Sequence, residues 1–71
     1  MSLEGIDSGK RCVVTRVACE ERERQKLIEL GIVPGVPIRK LSGTGSGPFL
    51  VEVLGSRVAL GLSLASGVFV A

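Results

Sequence analysis

Lys26-Leu27-Ile28-Glu29-Leu30-Gly31-Ile32-Val33-Pro34-Gly35 closes a helix, turns the chain and opens a strand in one short run. Leu27, Ile28 and Leu30 are the only large apolar residues of an otherwise charged segment. A helix there docks through its last turn and the residues just after it. Gly31 follows where a left-handed residue is needed to end the helix, a conformation that penalises any Cβ. Pro34-Gly35 is turn chemistry: proline fixes φ at the first central position and glycine supplies positive φ at the second, redirecting the chain before Val36.

Upstream, residues 20–30 replace β-branched side chains with Glu, Arg, Gln, Lys and Leu, all good helix formers. Glu20 and Glu21 fall in the first turn, suiting the positive end of the macrodipole, and Glu20 is spaced to reach Arg24 at i+4. Neither Ala18 nor Cys19 is a good capping residue, so the helix start is loosely specified. Before the helix, Val13, Val14, Thr15 and Val17 make residues 11–17 a strand, with Val13, Thr15 and Val17 expected to face inward. Strands are also expected over residues 36–41, 49–54, 57–62 and 68–71. Phe49, Val51 and Val53 alternate with Leu50, Glu52 and Leu54; Gly55-Ser56 reads as a two-residue hairpin turn; Val58, Leu60 and Leu62 share one side; residues 63–66 suit a tight helical turn. Residues 1–9 form a lead-in with Leu3 and Ile6 as anchors, although Met1-Ser2-Leu3 also reads as a remnant of cloning. Five short strands with one helix inserted after the first describe a mainly β, single-domain chain, a small SH3-like barrel whose closure removes exposed strand edges.

Seventy-one residues hold one small core. The net charge of +2 falls short of the concentrated basic face of a nucleic-acid binder. Phe49 and Phe69 are the only aromatics and both are needed inside, so no base-stacking platform remains. With no histidine, and no Ser or Cys beside a candidate base, the sequence argues against an enzyme. Residues 58–71 are uncharged, but a spanning helix needs about 20 apolar residues, and Gly61, Ser63, Ser66 and Gly67 interrupt this run. Buried strands are expected there rather than membrane insertion. The acid at Glu4 sits where a signal peptide would be apolar, so a cytoplasmic location is expected.

Residues 43–48 have the glycines of a phosphate-binding loop but run into Pro48 and a strand instead of a helix, which makes them a hairpin loop. Cys12 and Cys19 sit in no CxxC or Cys/His spacing and read as reduced thiols; the rival is a bridge between them in an oxidising compartment. They are also the only metal candidates, and two thiolates without histidine leave a four-coordinate site half filled. The helix carries Arg22, Arg24 and Lys26 among Glu20, Glu21, Glu23 and Glu29. Such a mixed-sign face is ordinarily solvated, but Arg24 lies at the edge of the Leu27-Ile28 patch, where an arginine can rim a docking surface.

Between Arg24 and Gly35 the chain resembles the FeoA family, the small cytoplasmic component of bacterial ferrous iron transport, whose pattern there is R-x-x-L-x-x-L-G-[ILM]-x-P-G. A second block, Gly47-Pro48, the strand at 49–53, Gly55, Val58-Ala59-Leu60 and Ala65-x-x-Val68-x-Val70, resembles the family's G-x-P, V-x-G, I-A-L and A-x-x-I-x-V elements. Leu62 departs from it, standing where members often carry an arginine or another polar residue. The resemblance implies a non-enzymatic accessory protein that docks onto the cytoplasmic GTP-binding region of the membrane iron permease, and through it lies at the inner membrane. The contact residues expected are Arg24, Leu27, Ile28, Leu30, Gly31, Ile32, Pro34 and Gly35, of which the Leu, Gly and Pro members also have a sufficient reason in the fold. The alternative is a module that binds or senses Fe2+ or another divalent transition metal through Cys12, Cys19 or surface acids. No intrinsic cofactor and no nucleic-acid partner are expected, and a homo-oligomer is compatible with either reading.

Overall fold

The computed structural model describes residues 1–71. A 3-10 turn at Leu3–Gly5 is followed by β1 (Arg11–Val17), α1 (Glu21–Glu29), β2 (Pro37–Ser42), β3 (Phe49–Val53), β4 (Ser56–Leu60), α2 (Leu62–Ala65) and β5 (Val68–Val70). All strand pairs are antiparallel, in the order β4-β3-β2-β1-β5. The mainly β architecture, with a helix after the first strand, is the one the sequence implies. Phe49, Val51 and Val53 line the inner face of β3 as their alternation requires, and meet Val14, Ile38, Leu60 and Val68 in the core.

β4 and β5 end the strand order and are joined through α2, without a ladder between them, so the barrel stops short of the full closure expected of it. The lead-in covers the outer edge of β5 instead. Ser2 bridges Phe69, and the Val70 N–H donates to the Met1 carbonyl at 2.8 Å. Leu3 is wholly buried and Ile6 nearly so. Lys40 holds this segment from inside the barrel: the side chain is only 3% exposed, and Nζ donates to the carbonyls of Ile6 (2.7 Å) and Glu4 (3.1 Å). It also lies 5.1 Å from the centroid of the Phe49 ring. An ammonium taken out of water is costly unless its N–H groups find acceptors, which ties the position of the lead-in to that of Lys40.

Four local expectations are corrected. On β1 it is Val14, in step with Cys12, that enters the core while Val13 and Thr15 face out; a bulge then sets both Thr15 and Arg16 against one β5 position and returns Val17 inward. The β3-β4 turn is Leu54-Gly55, one residue earlier than Gly55-Ser56; both turn residues have positive φ (51° and 80°), and Val53 pairs with Ser56. Leu62 leaves the β4 face, opens α2 and stays exposed. Glu20 precedes α1 as its N-cap, without a capping side-chain bond, and Arg24 pairs with Glu21 at i+3 instead of with Glu20.

Candidate functional site

The C-terminal end of α1 builds one wall of a groove. Leu27 is fully buried, and the helix stops at Leu30, with Gly31 at φ +86°. The Ile32 N–H donates to the Leu27 carbonyl at 2.8 Å and the Gly31 N–H to the Ile28 carbonyl at 2.9 Å. These two bonds, with buried Leu27 and Ile32 in apolar company, make a Schellman ending. The exit is then pinned to β1. Gly35, at φ +94°, donates its N–H to the Val14 carbonyl (2.7 Å), and the Val14 N–H returns a bond to the Val36 carbonyl (2.9 Å).

Once Leu27 and Ile32 have gone inward, Ile28 is left on the outside, 47% exposed. That differs from the expectation that the whole apolar last turn docks: on a helix this short only the side holding Leu27, with Leu30 partly covered, meets the barrel. Ile28, Ile32, Val33 and Pro34 form the apolar part of a groove of about 340 Å³. Arg24 and Arg16 stand on its walls, with Thr15 and Val17 of β1 completing it. Of the residues singled out in the sequence, Arg24, Ile28, Ile32 and Pro34 therefore line the groove, whereas Leu27, Leu30, Gly31 and Gly35 shape the backbone around it. Thr15, Arg16 and Val17 were not foreseen, whereas Val33 belongs to the helix exit already singled out. The β1 bulge turns Thr15, Arg16 and Val17 toward the groove, and its only trace in the sequence is an arginine inside a β-branched run.

Both guanidiniums are lightly held. Arg24 Nη2 lies 3.1 Å from Glu21 Oε2 in an exposed pair, the kind that contributes about 0.2–1 kcal/mol, and Arg16 lies over the Phe69 ring at 4.4 Å. Each can turn toward an incoming acceptor at small cost. The groove thus offers an exposed aliphatic anchor between two cations, and no nucleophile paired with a base.

The thiols do not fit a metal site. Cys12 and Cys19 are free and packed against the core, and no group of three or more Cys, Asp or Glu side chains gathers to hold an ion. Burial, followed by the nearby Glu23 carboxylate, pushes the Cys19 thiol above its ordinary pKa, away from the thiolate a metal requires.

The chain matches the FeoA domain over residues 1–71. Nothing among curated proteins matches it. Among solved structures it is similar to an iron uptake regulatory protein (FeoA), at 33% identity and TM-score 0.92, covering 99% of this chain and 93% of the other. It is similar to Stenotrophomonas maltophilia FeoA complexed with zinc, a procaryotic SH3 domain protein, at 32% identity and TM-score 0.86, covering 100% and 89%. Chlorobium tepidum FeoA is 32% identical with TM-score 0.87, covering 99% and 68%. A manganese-dependent transcriptional repressor, 20% identical with TM-score 0.92, shares the fold over 40% of its own length.

Proposed function

The chain belongs to the FeoA family, which is associated with ferrous iron transport, and from that premise we propose that it is a non-enzymatic accessory protein that docks onto the cytoplasmic GTP-binding region of the iron permease. The docking surface is the groove at the α1 exit. The observation that carries this reading is Ile28, a large aliphatic side chain left 47% exposed beside Ile32, Val33 and Pro34 and between two arginines. Burying such a side chain in a partner's pocket yields roughly 25 cal/mol per Å² of apolar surface, and arginines on the rim add orientation. The location implied is cytoplasmic, at the inner membrane through the partner; no helix of the chain is long and apolar enough to cross a membrane.

Calorimetry with the permease's cytoplasmic domain, in each nucleotide state, tests the reading. Ile28→Ala and Arg24→Gln are each expected to weaken binding about tenfold, the effect of losing an interface anchor worth somewhat over 1 kcal/mol. Unchanged affinity in both variants would remove the groove from consideration. The zinc-bound relative supports a divalent-metal role as the other reading, but Cys12 and Cys19 are half-buried against the apolar core with no third ligand gathered beside them, which makes them poor ligands for it.

A further inference from the structure

A second groove lies on the outer face of the sheet, and its chemistry is that of an anion site. Strand register aligns Arg11 of β1, Arg39 of β2, Glu52 of β3 and Arg57 of β4 in one continuous row across the strands. Directly opposed residues on antiparallel strands sit within about 4.5–5.5 Å at Cβ, so Arg11 and Arg39 are like charges side by side. The row holds three guanidiniums and one carboxylate, a net charge equal to the +2 of the whole chain. Glu52 should pair with one of its flanking arginines, yet the only ion pair in the protein is Arg24 with Glu21. Arg39 Nε is buried and has no acceptor. A buried N–H left unpaired is the exception in folded proteins, so the Arg39 guanidinium is held beside the groove without a partner from the fold.

The space beside it is a groove of about 320 Å³, with Arg11, Arg39 and Glu52 as its charged lining and Pro37, Leu54 and Gly55 as its apolar side. Leu54 is 71% exposed at the turn and held at φ 51°, which places an aliphatic side chain on the rim. Its Cδ1 lies 2.7 Å from where a Cβ on Gly31 would stand, so this rim adjoins the α1 exit.

We propose that the Arg11-Arg39 end of this row is a carboxylate-binding site that accepts an Asp or Glu side chain of an acidic, partly apolar protein segment. Glu52 decides between anions. Its charge opposes a phosphate dianion more strongly than a monoanionic carboxylate, and the apolar rim at Leu54 and Pro37 suits a peptide better than a hydrated inorganic ion. The site stands on its own geometry and requires no permease, so its test is separate from that of the α1 groove.

The test is an amide chemical-shift titration of the ¹⁵N-labelled protein with acetylated, amidated tetraglutamate, with tetraglutamine and inorganic phosphate as the other arms. Tetraglutamate is expected to shift the amides of Arg11, Arg39, Glu52 and Leu54 in a saturable way, with little response to the other two probes. Arg39→Gln should weaken binding about tenfold or more, Arg39→Lys nearly as much because the Nε fork is lost, and Glu52→Gln should admit phosphate. Arg11→Gln, at an exposed position, gives the same readout if Arg39 variants fail to fold. Shifts spread equally over Arg22, Lys26 and Lys10, an equal response to phosphate in the parent protein, or full binding by both Arg39→Gln and Arg11→Gln would overturn the proposal.

Discussion

Leu27 and Ile28 are adjacent, both aliphatic and both on the last turn of one helix, yet one is wholly buried and the other 47% exposed. Leu27→Ala is expected to cost about 2–5 kcal/mol of stability, the range for emptying a packed leucine site, while Ile28→Ala should cost less than about 1 kcal/mol. Chemical denaturation of the two variants measures the difference directly, and comparable losses would mean that Ile28 is part of the core. Cys19 adds a pH-dependent check. Its thiol pKa is raised in the fold, first by burial and then by Glu23, so the native state holds the proton more tightly than the unfolded chain. The resulting stabilisation is complete below the ordinary thiol pKa and is lost as pH climbs from there through the raised value. Parent protein should therefore lose more stability than Cys19→Ala over that alkaline window, and parallel melting curves across it would contradict the assignment. At this scale the sequence is read well where rules are local. Gly31, Pro34 and Gly35 declare their φ angles by residue type, but nothing local declares that Lys40 is buried, since its acceptors belong to Glu4 and Ile6, far away in the chain.

Among the elements, the α1 exit is the most completely specified. Two hydrogen bonds and the burial of both Leu27 and Ile32 in the core end the helix, and the bonds between Val14 and the turn fix where the chain goes next. Gly31→Ala forces a Cβ into a left-handed residue and against Leu54 Cδ1, and should destabilise by about 1–2 kcal/mol. Thermal unfolding of this variant beside Gly5→Ala, which has ordinary φ and open space at its Cβ, isolates the effect; equal melting temperatures would argue that the left-handed ending is dispensable. β1 is the element the sequence describes least faithfully. Its run of valines and threonine supports a strand, but the direction its residues face from Thr15 onward depends on a bulge in the pairing with β5, a partner more than fifty residues away. The same bulge supplies Thr15, Arg16 and Val17 to the candidate groove. Thr15 and Arg16 were consequently invisible as site residues, whereas Arg24 and Ile28, placed by helical spacing alone, were found.

For the whole molecule, the topology puts two kinds of recognition chemistry on a single small barrel: an aliphatic anchor flanked by cations at the helix exit, and an arginine row across the sheet. Lys40 and the lead-in complete the barrel on the side where β5 would otherwise present a free edge. What distinguishes docking through the helix exit from every other arrangement is the set of amides that responds to the partner. Titrating the ¹⁵N-labelled chain with the permease's cytoplasmic domain is predicted to perturb Thr15, Arg16, Val17, Arg24, Ile28, Ile32 and Val33, and to require about tenfold more partner for the same shifts in Ile28→Ala. Binding that leaves those amides unmoved in the parent protein, with its shifts gathered elsewhere on the barrel, would contradict the account.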